Sequence, residues 1–255
     1  YDLLKKLSLD VFFDNSRTWG FTLVQFDAFL GSMEFIRSEE YCSGPVCSVL
    51  RAYYKYHNSE VWLDLYDYAG IPEIGVRIRL DWHEPMSCLK LSFAHQLSDD
   101  PEFFTGSCGE TVCRVRKSDY DWPANEWKDG KFIPYSLSSE EFSMIDWCAA
   151  VSNGKTAAFF APDLHSCDHA ENQLRLTIVR PTLYADHAPF VQKFDDGWMD
   201  FGVNYRSFWI AEYDQVPLSA LPKYSNARLN NGEVREITAH AAGDQTGKYE
   251  FFRLE

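Results

Sequence analysis

Residues 172–181 read Asn-Gln-Leu-Arg-Leu-Thr-Ile-Val-Arg-Pro, and this stretch decides the fold class. Leu174, Leu176 and Ile178 alternate with Gln173, Arg175 and Thr177. A period of two describes a strand with one face in a core. Arg180 shares the parity of the leucines, and Pro181, which lacks a backbone donor, ends the ladder. The apolar face therefore terminates at its rim in a guanidinium. Burying that group alone is costly, so it needs an anionic or polar partner. Two partners are open: a carboxylate of the same domain, in a structural ion pair, or a ligand or second domain at the rim.

Working outward, the same pattern recurs. Val46, Ser48, Leu50, Ala52, Tyr54 and Tyr56 share one parity. Val61, Leu63 and Leu65 oppose Trp62, Asp64 and Tyr66. Val76, Ile78, Leu80 and Trp82 alternate with Arg77, Arg79, Asp81 and His83, and Leu89, Leu91 and Phe93 with Cys88, Lys90 and Ser92. Each run reads as an antiparallel strand with one face in the core. Turn residues punctuate them at Asn58-Ser59, Ala69-Gly70, Asp129-Gly130, Asn153-Gly154 and Asn231-Gly232. Residues 144–160 thus predict a strand, a hairpin at Asn153-Gly154 and a returning strand. Helical signals are few: a short helix within residues 2–9, and Ser138-x-x-Glu141, which has the form of a capping box but lies beside strand-like sequence. Many strands and few helices predict an all-β fold, a large antiparallel β-supersandwich of two sheets. Pro217, Pro222, Asn226 and Asn230 mark a change of composition. The expected organisation is a sandwich over residues 1–205, then 206–255 as a connecting segment and the first strands of a further C-terminal β unit.

The 255 residues are 45% hydrophobic and 16% aromatic, enough for a large core, and carry a net charge of −14. That balance argues against a nucleic-acid partner, which needs a basic stripe, and against an anionic membrane surface. No apolar run approaches the roughly 20 residues of a membrane helix, and no stretch of these residues reads as a signal peptide. The chain starts at Tyr1 and ends in a strand-like run, so both ends read as cuts within a longer protein. The seven cysteines include no CxxC pair, and several sit in apolar strands as small hydrophobes. A reducing, cytoplasmic setting is the expectation.

Catalytic signals are sparse. His165-Ser166-Cys167-Asp168-His169 has ligand types that suit zinc, but the spacing favours a polar loop between strands. His57, His83, His95, His187 and His240 are scattered. Asp14, Asp81 with Glu84, and Asp195 with Asp196 are the carboxylates to consider for glycoside hydrolysis, which uses two. Trp19, Trp82, Trp122, Trp127, Trp147, Trp198 and Trp209 offer sugar-stacking faces or core packing. No Walker loop, GxGxxG, GxSxG or HExxH is present.

Several motifs, in order, resemble the C-terminal β domain of glycoside hydrolase family 38, the α-mannosidases. Residues 14–20 (DNSRTWG) match a D-x-x-x-T-W-G pattern, and Gly44-Pro45-Val46 a GPV strand start. Leu80-Asp81-Trp82-His83-Glu84 with Leu89-Lys90-Leu91-Ser92-Phe93 resembles V-D-W-x-E…L-K-x-x-F. Asp146-Trp147 with Ser152-Asn153-Gly154 resembles R-W-x-D-x-S-D-G. Residues 174–181 resemble L-x-L-S-L-L-R-S-P, and Asp196-Gly197 with Phe201 resembles D-R-G-x-H-x-F. The matches span about residues 10–205. The family pattern has a serine where Thr182 stands and a histidine where Met199 stands, and residues 184–194 diverge.

The resemblance implies a galactose-mutarotase-like supersandwich whose chemistry lies elsewhere. In that family a retaining mechanism uses a nucleophilic aspartate, a second acid, and zinc gripping the sugar's 2- and 3-hydroxyls. All of these belong to an N-terminal catalytic domain of the same polypeptide. This chain is then expected to hold no cofactor, to be inactive alone, and to act on an α-mannoside substrate only within the whole enzyme. Arg180 matches a family arginine facing the cleft and is the expected substrate-binding residue. The alternatives are a stand-alone carbohydrate-binding β-sandwich, and a mutarotase-like epimerase using His83 and Glu84. Consecutive strand residues face opposite ways, which counts against that pair.

Overall fold

The alternating runs become strands of two antiparallel sheets in the computed structural model, which describes residues 2–14, 26, 28–97, 100–114, 127–128, 131–132, 141–170, 172–183 and 197–229. In chain order the first strands are β1 (Leu7–Phe13), β2 (Phe29–Ser32), β3 (Glu34–Ser43), β4 (Cys47–Tyr56), β5 (Ser59–Tyr68) and β6 (Ile74–Trp82). Then come β7 (Ser87–Ala94), β8 (Glu102–Ser107), β9 (Glu110–Arg114), and the two-residue β10 (Trp127–Lys128), β11 (Lys131–Phe132) and β12 (Phe142–Ser143). The last are β13 (Trp147–Ser152), β14 (Lys155–Phe160), β15 (Ser166–Ala170), β16 (Gln173–Val179) and β17 (Gly202–Asp214), followed by helix α1 (Leu221–Leu229).

Six strands pair in the order β12-β15-β16-β7-β1-β2, and nine in the order β3-β4-β5-β6-β17-β14-β13-β8-β9; β10 and β11 form a separate hairpin. Leu9, Val11, Leu89, Leu91, Phe93, Leu174 and Leu176 from the smaller sheet meet Leu63, Leu65, Val76, Ile78, Leu80, Phe159 and Phe208 from the larger. This is the two-sheet antiparallel sandwich that the alternation predicted. The hairpin at Asn153-Gly154 forms as expected, with positive φ at both residues (50° and 78°).

Several local expectations change. The helix expected within residues 2–9 is a single 3₁₀ turn, Leu3–Lys6. From Leu7 onward the chain is strand, because Leu7, Leu9 and Val11 pair across from Phe93, Leu91 and Leu89 in the core. The boundary expected at residue 205 falls inside β17, which lies between β6 and β14 in the middle of the larger sheet. Its inward residues Phe208 and Ile210 belong to the main core, so the sandwich continues to Asp214. The expected C-terminal β unit falls in residues 230–255, outside the described residues. So do the turns at Asp129-Gly130 and Asn231-Gly232.

The larger sheet has two kinds of outer surface. Over β8, β13, β14 and the end of β17, α1 covers a second core of Phe104, Trp147, Ala149, Ala158, Phe160, Ala211 and Leu221. Over β3 to β6 and the start of β17 the outward residues include many exposed side chains. Edge strand β3 is exposed along all ten residues, and its register with β4 is interrupted twice, between Phe35 and Arg37 and between Glu40 and Cys42.

Candidate functional site

Arg180 does not lie on the face that parity assigned to it. Thr177 pairs with Lys90, but Val179, not Ile178, pairs with Leu89. One extra residue in β16 makes a bulge, and Ile178 and Val179 both enter the main core. Each later side chain is therefore displaced to the opposite face. Arg180 emerges on the outer side of the six-stranded sheet, where its Nε donates to Asp14 Oδ2 at 2.6 Å and its guanidinium lies 5.2 Å from the ring centre of Phe26. Of the two partners left open by the sequence, a carboxylate of the same domain is present. The Asp14 side chain is nearly fully buried while that of Arg180 keeps 23% of its surface exposed.

Strand register explains what surrounds this pair. Ser32, Asp10, Lys90 and Thr177 form one cross-strand row, and Ser8, Ser92, Arg175 and Asp168 the next. Lys90 sits in the middle with none of its side chain exposed. Its Nζ donates to Asp168 at 2.6 Å and to Glu141. Arg175 donates to the other oxygen of Asp168, and the hydroxyls of Ser166 and Thr177 donate to Glu141. Asp10 accepts from three hydroxyls, those of Ser8, Ser32 and Ser92. Burial disfavours the ammonium of Lys90, but the charges of Asp168 and Glu141 outweigh it and raise its pKa. Burial also raises the pKa of the neighbouring Cys88 thiol.

Such a network is matched, not reactive. Lys90 stays protonated and is no nucleophile, and Asp168 and Glu141 are held by cations and hydroxyl donors. Arg180 lies beside this network on the same outer face, paired with Asp14 and partly exposed. Lys90, Glu141, Arg175 and Asp10 were not singled out in the sequence as site residues, and Asp168 only as part of residues 165–169, whose ligand types suit zinc. The available signal was a lysine between Leu89 and Leu91 flanked by small outward residues, Cys88 and Ser92, a pattern that fits a strand buried on both faces.

The other candidates separate. Residues 165–169 are not a loop: Ser166–Ala170 is strand β15. Alternation sends Cys167 and His169 into the sandwich, opposite Leu176 and Leu174, while Asp168 points outward to Lys90 and His165 is exposed. His169 meets His95, Nε2 to Nε2 at 2.8 Å, with the rings stacked. Burial lowers the pKa of His95. Among the described residues no three of His, Cys, Asp or Glu come together to hold a metal. His83 contacts Asp81 at 2.8 Å on the larger sheet, whereas Glu84 accepts from the Asn58 backbone and the Ser59 hydroxyl, so the two do not converge. Trp82 and Trp147 are core, Trp198 stacks on Phe201, and Trp209 is half-buried on the outer face of the larger sheet. Trp19, Trp122, Asp195, Asp196, His187 and His240 lie outside the described residues, as does the side chain of Trp127.

The outer face of the larger sheet carries a different arrangement. Across β3, β4, β5, β6 and β17 one row reads Arg37, Tyr53, Trp62, Arg79, Tyr205 and the next Glu39, Arg51, Asp64, Arg77, Ser207. Guanidinium carbons lie over rings: Arg37 over Tyr53 at 3.8 Å, Arg79 over Trp62 at 4.7 Å and Arg77 over Tyr66 at 4.8 Å.

No family model matches the chain, and no curated protein sequence matches it. Solved structures do. A protein of glycosyl hydrolase family 38 from Enterococcus faecalis superposes with a TM-score of 0.64 at 9% identity, over 88% of this chain and 28% of its own. An alpha-mannosidase from Enterococcus faecalis V583 gives 0.61 at 10% identity, over 88% of this chain and 27% of its own. At such identities the likeness is one of fold. The chain spans a little over a quarter of the length of either protein.

Proposed function

We propose that this chain is the C-terminal, non-catalytic β domain of a glycoside hydrolase acting on α-mannosides. It packs on an N-terminal catalytic domain of the same polypeptide and helps to complete the cleft. The observation that carries this reading is that 88% of the chain superposes on a segment of each family 38 protein. The ordered motifs from DNSRTWG to Asp196-Gly197 support it. The described residues do not fit zinc, since no three suitable ligands converge; the family's zinc would belong to the catalytic domain.

In this reading Arg180 is the contact residue. Asp14 and the ring of Phe26 orient its guanidinium, which in the full-length enzyme would donate to a substrate hydroxyl or to an acid of the cleft. A charge-assisted hydrogen bond contributes roughly 1.5–3 kcal/mol. Arg180→Ala in the full-length enzyme is therefore expected to lower kcat/KM about ten- to a hundredfold, with partial recovery in Arg180→Lys. A melting temperature that falls while kcat/KM holds would reduce Arg180 to its ion pair. The function itself is tested with an aryl α-mannoside: the protein from the complete reading frame turns it over and the 255-residue chain does not. Turnover by the 255-residue chain, or none by the full-length protein, would overturn the reading.

A further inference from the structure

We infer that the groove between α1 and the outer face of the nine-stranded sheet binds a saccharide residue bearing a carboxylate. The inference is independent of the family reading, because it uses only side chains of this chain. The groove encloses about 270 Å³ and is lined by Tyr66, Tyr68, Gly75, Arg77, Trp209 and Arg228, among others. That is just below the range of small-molecule pockets, roughly 300–1,000 Å³, and suits a ligand no larger than one sugar ring.

Register builds the groove. Gly75 on β6 lies between Tyr66 of β5 and Trp209 of β17. A Cβ on Gly75 would stand 3.3 Å from both Tyr66 Cβ and the Trp209 ring, so the glycine keeps the space between them open. Tyr68 stacks on Tyr66 at 6.2 Å and tilts toward Trp209 at 5.8 Å, making a continuous aromatic wall. Amphipathic rings in a half-open polar cleft match the apolar C–H face of a sugar while its hydroxyl edge stays wet.

Charge decides the class of sugar. Arg51 takes both oxygens of Asp64, at 2.6 and 2.8 Å. Arg77, the cross-strand neighbour of Asp64, lies over Tyr66 instead. Arg228 is matched by Glu73 at 2.8 Å, and Tyr213 donates to the same buried carboxylate. Among the described residues Arg77 is thus the groove's guanidinium without a carboxylate within ion-pair distance. A planar fork beside an aromatic wall accepts a carboxylate in two parallel hydrogen bonds. In a chain of net charge −14, this local cation is what admits an anion.

The test titrates the 255-residue chain with D-glucuronate, following tryptophan fluorescence and heat, with D-glucose and acetate as comparison probes. Saturable millimolar binding of D-glucuronate is expected. D-glucose is expected to bind at least about tenfold more weakly, and acetate not to saturate. Arg77→Gln, at an exposed position, weakens D-glucuronate about ten- to a hundredfold. Ser207→Trp removes no charge but fills the groove, and also abolishes binding. The inference is overturned if D-glucuronate does not saturate, if either variant keeps the parent affinity, or if acetate binds as tightly as the sugar acid.

Discussion

The two sheets turn similar sequences to opposite uses on their outer faces. On β7, Lys90 lies opposite Asp10 and Thr177 and is fully buried. On β6, Arg79 lies opposite Trp62 and Tyr205, and its guanidinium rests on an indole at a partly exposed surface. Both are cations at outward positions of regular alternations, and the local difference is slight: Cys88 and Ser92 flank Lys90, whereas Arg77 and Asp81 flank Arg79. The difference is what lies above the sheet: where water is excluded, a charge must meet charges, and where water remains, an aromatic face suffices. A buried network fixes geometry at its rim, while an open surface stays available to a ligand.

Stability measurements test that contrast, starting with the largest effect. Lys90→Met leaves Glu141 and Asp168 without their shared cation and is expected to cost roughly 3–5 kcal/mol in urea unfolding. A loss near that of a surface substitution would mean that the outer face of the smaller sheet is not closed. Removing Arg180, which is only partly buried, exposes the contrast at the rim: Arg180→Ala is expected to cost about 1–3 kcal/mol, because Asp14 stays buried. Arg79→Ala on the open face should cost about 0.5–1 kcal/mol at most. If it matches Lys90→Met, the two faces are energetically alike and the comparison fails.

A pH series sharpens the same point inside the sandwich. Burial lowers the pKa of His95, so the unfolded chain binds the proton more readily than the folded one. The associated stability is present above the unfolded value, about 6.5, and is lost as pH falls below it. The His95–His169 contact has the same sign, since one Nε2 must accept from the other. Denaturation midpoints measured from pH 7.5 down to 5 should therefore fall, and fall less in His95→Phe.

Much of the fold was legible because core-facing residues impose a strict period. Val61 to Leu65 and Val76 to Trp82 lie where alternation put them. The bulge at Ile178 was not legible: no glycine or proline marks it, and it arises because two successive apolar residues both find room in the core. β17 was obscured by the prolines that follow it, although Phe208 and Ile210 kept the right parity. The strand at residues 166–170 looked like a loop because its outward Asp168 and inward His169 are both polar, each matched by a partner far away in sequence. For the same reason the network around Lys90 was hidden: its members come from five strands and the segment at Glu141, and tertiary register brings them together.

Edge strand β3 has a consequence for how copies of this protein behave in a crowded solution. Among the described residues no strand pairs with the outer edge of β3, and such an edge would serve as a template for a neighbour's strand. The two interruptions in its register twist the hem of the sheet, and Arg37, Glu39 and Glu40 place charges along it. Both features disfavour flush pairing of a second copy along that border, which would have to follow the bulges and desolvate those charges. Irregular pairing at this margin works against open-ended growth of the sheet, while Phe35, Ile36 and Tyr41 stay exposed along it.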